Sequence, residues 1–398
     1  MMTSEHPTAA CVHLDRLLHN LGGMERRLKG RCEIMAVVKA DAYGHGIGPV
    51  SRCLESAGVR HFGVAFIEEG VRLRQSGIRG SILVMGGFMP GQVPDLIRFS
   101  LTPVLFHPDH LAWLAAAGGP SAEPLPVHLK VDTGMGRLGL APGEVTAFAK
   151  KVRDLQGFRL EGLMSHFSDE DLSASELARE QIKRFTRVRD DLAREGLSVR
   201  WLHMANSGAI LSLEAAWWNL VRPGIALYGY APARTLDGVL PLEPVLTLKS
   251  RIAHLRRVPA GTPVSYGQTF ITRRESLLAV IPVGYADGYP RSLSNRGEAL
   301  VGGKRAPILG RVCMDLVVLD VTEVDGCRLT DEVVLLGRQG KETISAVDLA
   351  ERAGTIPYEI LTSIGERIPR IYSGGPPSPQ ETFSSAGERG GSERPRLP

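Results

Sequence analysis

The chain has 398 residues, 43% hydrophobic and 23% charged, so it is not a disordered chain, a collagen, a coiled-coil rod or a small disulfide scaffold. It is long enough for two or three domains, or for one large barrel with a smaller unit, and to bury a core without covalent staples. Its 47 Lys and Arg against 43 Asp and Glu leave a net charge of +4, which gives no reason to expect nucleic acid or an anionic membrane as partner.

Cys11, Cys32, Cys53, Cys313 and Cys327 are odd in number and contain no CxxC pair. The expectation is therefore a reducing compartment, with neither a disulfide framework nor a zinc site and no other metal. The first thirty residues carry Glu5, Asp15 and Glu25 and no long apolar run. No stretch anywhere approaches the ~18 apolar residues of a membrane span. These features predict a cytoplasmic protein.

In chain order, eight short apolar runs occupy the first 230 residues: 34–38, 62–65, 82–85, 103–106, 127–131, 160–164, 201–204 and 220–225. Several are rich in Val, Ile and Leu without alternation, as in strands buried on both faces. Between them 13–28, 66–75, 143–155 and 175–195 have helical spacing. In the last, Leu177, Ile182, Phe185, Val188 and Leu192 fall near a 3.6-residue period. The alternation predicts an α/β fold with an N-terminal (β/α)8 barrel over 1–240. From 241 to 372 shorter runs are separated by turns such as Pro259-Ala260-Gly261 and Val324-Asp325-Gly326. They predict a mostly antiparallel β domain, with strands near 277–283, 316–321 and 333–336 and a helix near 345–352. Residues 373–398, including Arg389, Arg394 and Arg396, read as a disordered tail.

In such a barrel the chemistry collects at the carboxyl ends of the strands. Lys39 ends the first run in AVVKADAYGHG, among Asp41, Tyr43, Gly44 and His45. A partly desolvated amine has a lowered pKa and condenses readily with an aldehyde. In KVDTGMGRLG, Lys130 and Asp132 end the fifth run, and the glycines deliver Arg137 to a site suited to a carboxylate or phenolate. That loop is neither a dinucleotide fingerprint nor a P-loop. His166 follows the sixth run, His203 and Ser207 the seventh, and Arg222, Gly224 and Ile225 the eighth. Ser207-Gly208 and Gly224-Ile225 form a plausible phosphate cup. A single such residue is more often structural; four strand ends carrying Lys, His, Ser and Arg are a poor accident. In the β domain Tyr266 (SYGQTF), Tyr285 (GYADGYPR) and Met314-Asp315 (GRVCMD) stand out. A tyrosine acting as base needs its pKa of about 10 lowered by nearby positive charge.

Together these motifs, in order and spacing from about residue 11 to 372, resemble the alanine racemase family, whose members are fold-type III pyridoxal-phosphate enzymes. The resemblance implies PLP-dependent interconversion of L- and D-alanine by two bases, supplying D-alanine for peptidoglycan. It implies a homodimer with active sites shared between subunits. Lys39 is similar to the lysine that carries the cofactor and Tyr266 to the second base, given by the other subunit. Lys39 would serve the D-enantiomer and Tyr266 the L-enantiomer. Tyr43, Ser207, Gly224, Ile225 and Tyr358 match phosphate-binding positions, and Arg222 the arginine facing the pyridine nitrogen, with His203 behind it. Arg137 matches the arginine at the cofactor's phenolic oxygen and the substrate carboxylate. Met314 and Tyr285 match substrate-contacting and entry positions, with Asp315 a supporting neighbour. His166 would support Tyr266, and Lys130 matches a position carbamylated in many members. The alternatives weighed are a serine or broad-specificity racemase of the same fold, a decarboxylase of the same fold, and a non-catalytic PLP carrier. Arg222 argues against the decarboxylase and Tyr266 against the carrier.

Overall fold

A computed structural model describes residues 6–119, 123–169, 172 and 175–375. Most of the expected tail, 376–398, lies outside the described residues. Strand β1 (Ala9–His13) is followed by eight parallel strands: β2 (Glu33–Val37), β3 (His61–Val64), β4 (Ser81–Val84), β5 (Thr102–Leu105), β6 (Leu125–Lys130), β7 (Phe158–Met164), β8 (Trp201–His203) and β9 (Leu220–Val221). Their order is β8-β7-β6-β5-β4-β3-β2-β9, one strand for each apolar run. The barrel closes almost completely. At the β8/β9 seam the Asn219 side chain takes the place of ladder groups, accepting from Leu202 N at 2.8 Å and donating to Arg200 O at 2.6 Å.

Helices alternate with the strands as the periodicity requires: Leu14–Leu28, Ile67–Gln75, Val145–Arg153 and Glu176–Arg194. Leu17, Leu21 and Met24 of the first are fully buried, as are Phe185 and Val188 of the last. Helices Ile47–Ser56, Val93–Arg98 and Pro108–Ala117 complete the outer layer. Toward the barrel's amino-terminal end the interior is filled by Met35, Leu83, Val104, Trp201 and Leu220, with Met164 of the same cluster at the end of β7. Toward the carboxyl end buried polar groups replace them, namely His128, Lys130, His203 and Arg222.

The second half holds β10 (Leu246–Arg251), β11 (His254–Val258), β12 (Pro263–Val264), β13 (Phe270–Ile271), β14 (Ser276–Ile281), β15 (Glu298–Val301), β16 (Lys304–Pro307), β17 (Val317–Asp320), β18 (Glu332–Gln339), β19 (Glu342–Ile344) and β20 (Arg370–Ser373). One sheet runs β16-β15-β18-β10-β1-β20 with β19 on β18, a second runs β11-β14-β17, and β12-β13 is a hairpin. Pairing is antiparallel throughout except for β1 with β20. The expected boundaries are crossed at both ends. Residues 9–13 belong to the β-domain sheet, inserted between β10 and β20. Ser373 closes β20 rather than opening a tail. A five-residue strand with buried Ala10 and Val12 carries too little pattern to reveal which sheet it joins.

Candidate functional site

Lys39 leaves the carboxyl end of β2 and enters a turn with no ordinary counterpart. Ala40, Asp41, Ala42 and Tyr43 all have φ between 51° and 55°, a left-handed turn of four non-glycine residues. Local bonds hold it: Ala40 N–H donates to Glu69 Oε1 (2.6 Å), Ile47 N–H to Asp41 Oδ1 (2.8 Å) and Gly44 N–H to Ala40 O (2.9 Å). The turn projects Lys39 into a cavity of about 510 Å³ and swings Tyr43 beneath it, where its ring stacks on Tyr228 at 4.7 Å.

The cavity lies at the carboxyl ends of the barrel strands. Its walls include Lys39, Tyr43, Lys130, Arg137, His166, Ser207, Arg222, Gly224, Ile225 and Tyr358. Ten expected residues, drawn from distant stretches of the chain, thus meet in one space. His203 stands directly behind Arg222, fully buried.

At one end are the hydroxyls of Tyr43, Ser207 and Tyr358. Ser207 begins the short helix Ser207–Ser212, whose first turn is capped by Asn206 through Ala209 N at 3.0 Å. Its Oγ accepts the Gly224 N–H at 2.9 Å, so that amide is taken by the serine. A β-carbon on Gly224 would stand 2.4 Å from the Tyr43 hydroxyl oxygen; only glycine lets the two segments meet.

The middle of the cavity carries cations. Arg137 rides on a loop organised by Asp132, whose Oδ1 accepts the N–H groups of Gly134 (2.9 Å) and Met135 (2.9 Å). Lys39 is open to the cavity yet surrounded by its walls. Burial and then Arg137 lower its pKa, with Glu69 opposing. Burial, followed by Arg222 and Arg137, pushes Lys130 down to about 8. Burial alone brings Arg222 to about 10, still protonated at neutral pH. Burial and then Arg222 push His166 down to about 3. Arg222 donates to His203 Nδ1 (2.9 Å), His203 O (2.7 Å), Ser165 O (2.7 Å), Met204 O (3.3 Å) and His166 Nδ1 (3.3 Å). His166 is thus held through Nδ1 by the arginine of its own chain.

Besides His203, four expected residues, all in the β domain, lie outside the cavity wall. Tyr266, Tyr285 and Met314 belong to the β domain and are 72%, 43% and 52% exposed. Their backbone segments are hydrogen-bonded. Ser265, at φ 63°, bonds Arg311 O at 2.7 Å and so orients Tyr266. Tyr285 N–H donates to Cys313 O and Ala286 N–H to Met314 O, both at 3.0 Å. Asp315 pairs with Arg367 at 2.8 Å.

Glu69, Tyr228 and His128 were not singled out from sequence, because each acts through a partner remote in the chain.

A lysine under a set of hydroxyls and arginines, at the carboxyl end of a parallel barrel, with a β domain appended, defines a barrel enzyme with a cationic, hydroxyl-lined site. Comparison with known proteins gives the family. The alanine racemase N-terminal domain matches residues 12–232 and the alanine racemase C-terminal domain residues 245–372. The alanine racemase of Halothermothrix orenii is 45% identical over 366 residues, 92% of this chain and 97% of that one. That of Geobacter sulfurreducens is 46% identical over 374 residues, again 92% and 97%. The crystal structure of alanine racemase from D-cycloserine-producing Streptomyces lavendulae superposes with a TM-score of 0.88 at 36% identity, covering 94% of this chain and 98% of that one. The Bacillus anthracis alanine racemase with bound L-Ala-P gives 0.87 at 35%, covering 92% and 95%. The chain belongs to the alanine racemase family.

Proposed function

We infer that the chain interconverts L- and D-alanine with pyridoxal 5'-phosphate, as a homodimer in which each site takes Tyr266 from the second copy. One observation carries this reading. A single cavity gathers Lys39, the hydroxyls of Tyr43, Ser207 and Tyr358, and the arginines 137 and 222, while Tyr266, Tyr285 and Met314 stand exposed on the β domain. The chemistry of the donor set suits the cofactor: hydroxyls and the Ile225 amide for its phosphate, an amine for its aldehyde, a guanidinium for its ring nitrogen. When bound, the cofactor supplies an electron-accepting ring that acidifies the α-proton of an attached amino acid.

The chain's own residues do the rest. Arg222, protonated and tied by five acceptors, keeps a proton off the ring nitrogen and so tempers the ring's electron demand. Arg137 orients the substrate carboxylate with its planar fork, assisted by Met314 of the second copy. Burial and Arg137 lower the Lys39 amine toward the range where it takes and returns a proton on one face of the substrate. Tyr266 of the second copy serves the opposite face. Lys130, near 8, holds a fraction of reactive neutral amine beside Arg137, as carbamylation requires. The barrel unit extends to about residue 240, and the β domain comprises 241–373 together with β1. All five thiols are unpaired, and among the described residues no helix is long and apolar enough to cross a membrane. Both features support the cytoplasm as its place.

The test is to assay D-alanine formation from L-alanine, with L-serine and larger L-amino acids as comparisons, in the wild type and in Tyr266→Phe. The variant keeps the bound cofactor's absorbance and loses racemisation; full activity in it refutes the two-base reading.

A further inference from the structure

Arg222 does not stand on His203 alone. His203 Nε2 lies 2.8 Å from Nδ1 of His128, a residue of β6 that does not line the site cavity. A guanidinium has donors only, so His203 Nδ1 must accept from Arg222 and the ring proton must sit on Nε2. That proton is donated to His128 Nδ1, which places the His128 proton on its own Nε2. Arg222, His203 and His128 thus form a chain with one possible direction, since reversing it would set N–H against N–H at the arginine.

The far end of the chain has somewhere to go. His128 borders a second cavity of about 140 Å³ at the opposite mouth of the barrel, where His61, Ser81, Thr102 and Trp201 begin their strands and Glu161 and Arg200 add polar groups. That volume holds roughly four waters, which can accept the outer N–H. Burial keeps both rings neutral, joined at His128 by His61 and Arg222 and at His203 by Arg222, with His128 pushed down to about 3 and His203 well below its ordinary range. A β-carbon on Gly162 would meet His128 Nδ1 at 2.4 Å, so the neighbouring strand leaves room for the ring in one place only.

We propose that His128 is a positioning residue of the site. By accepting the His203 Nε2–H it fixes the tautomer that anchors Arg222, and through it the guanidinium that faces the cofactor's ring nitrogen. This rests on the reading of Arg222 given above. His128→Asn keeps an acceptor oxygen near the position of Nδ1, whereas His128→Leu keeps the bulk and removes the acceptor.

Two measurements test it. In the cofactor-free wild type, 15N spectra should show both histidines neutral with Nε2–H and a through-hydrogen-bond coupling between His203 Nε2 and His128 Nδ1. In the loaded enzyme, His128→Leu should lose the bound cofactor's absorbance roughly tenfold faster per turnover, because a buried N–H left without an acceptor frees His203 and Arg222 to shift. His128→Asn should stay within about twofold of wild type, since it replaces one acceptor by another. The opposite tautomer, a charged ring, or equal behaviour of the Asn and Leu variants overturns the proposal. An unchanged rate of absorbance loss in a folded His128→Leu overturns it too, while leaving the Arg222 reading intact. That reading fails separately if Arg222→Lys itself changes nothing.

Discussion

Five rings with lowered pKa make acid stability a sharp consequence of the fold. His128 and His166 titrate near 3 in the folded chain, His45 and His110 near 4 and His203 well below its ordinary 6.5. Burial is the first cause in each case, and Arg222 the next for His166 and His203. All five folded values lie below the unfolded value of 6.5, so the unfolded chain binds more protons. Stability is therefore whole above pH 6.5 and is lost as pH falls from there toward 4 and then 3. Each ring contributes a slope of about 1.4 kcal/mol per pH unit, and five give roughly 6 kcal/mol per unit between pH 6 and 5. That compares with a whole-domain stability of about 5–15 kcal/mol. Carboxylates with lowered pKa, such as Glu298, act below 4.5 and outside this window. The assay is urea unfolding followed by circular dichroism at pH 7.5, 6.5, 6.0, 5.5 and 5.0. His45→Asn gives a clean control. The ring donates Nδ1–H to Tyr43 O at 2.8 Å, which an amide N–H can replace, and its Nε2 has no partner. The variant's slope should fall by about 1.4 kcal/mol per unit. A stability that stays flat from pH 7 to 5, or a variant slope equal to wild type, refutes the assignment of these rings as neutral and buried.

Other consequences are independent of that one. Mixing refolded Lys39→Ala and Tyr266→Phe chains, each inactive alone, should restore about a quarter of wild-type activity, because half the dimers are mixed and each holds one complete site; no recovery would mean that sites are not shared. Gly224→Ala should weaken cofactor binding at least tenfold, about 1.4 kcal/mol, with a near-native melting temperature, since its β-carbon collides only with the Tyr43 hydroxyl. Gly284→Ala should raise the substrate KM and spare cofactor absorbance, because its β-carbon would lie 2.2 Å from Met314 O and displace the segment that carries Met314 and Tyr285.

The sequence showed the barrel because eight apolar runs buried on both faces need no long-range information to be seen. Seven of them match observed strands within a few residues. The run at 220–225 shrank to Leu220–Val221, since Asn219 and Arg222 take over the bonding at the seam. The cavity residues were legible because each sits where a strand ends and the polar sequence begins. What the sequence hid is pairing. Nothing local tells Ala9–His13 to leave the barrel for the β sheet, or His128 to bond His203 across the barrel interior. The exposure of Tyr266 and Tyr285 is likewise a property of the fold, as tyrosines flanked by glycine read as half-buried aromatics.

The left-handed turn from Ala40 to Tyr43 turns that lesson into a measurable one. A left-handed conformation costs about 1–2 kcal/mol for each ordinary L-residue, so the turn stores several kcal/mol directly beside Lys39. The β domain helps to hold it. Arg370 donates to Gly44 O through Nε (3.2 Å) and NH2 (3.1 Å), while its other bonds gather Ile364 O and Ile368 O. Arg370→Ala should therefore free the end of the turn: amide exchange at Ala42 and Gly44 accelerates and cofactor retention drops, with the barrel otherwise intact. Ala40→Gly should act in the opposite direction. Ala40 is exposed, so its methyl group contributes little, and glycine removes the steric cost while adding about 0.5–1 kcal/mol of unfolded-chain entropy. The net expectation is a stabilisation of up to about 1 kcal/mol, opposite in sign to the loss that the same change causes in a right-handed helix. A thermal scan of the two variants decides it. A destabilised Ala40→Gly would show that the turn is relaxed where the backbone angles say it is strained.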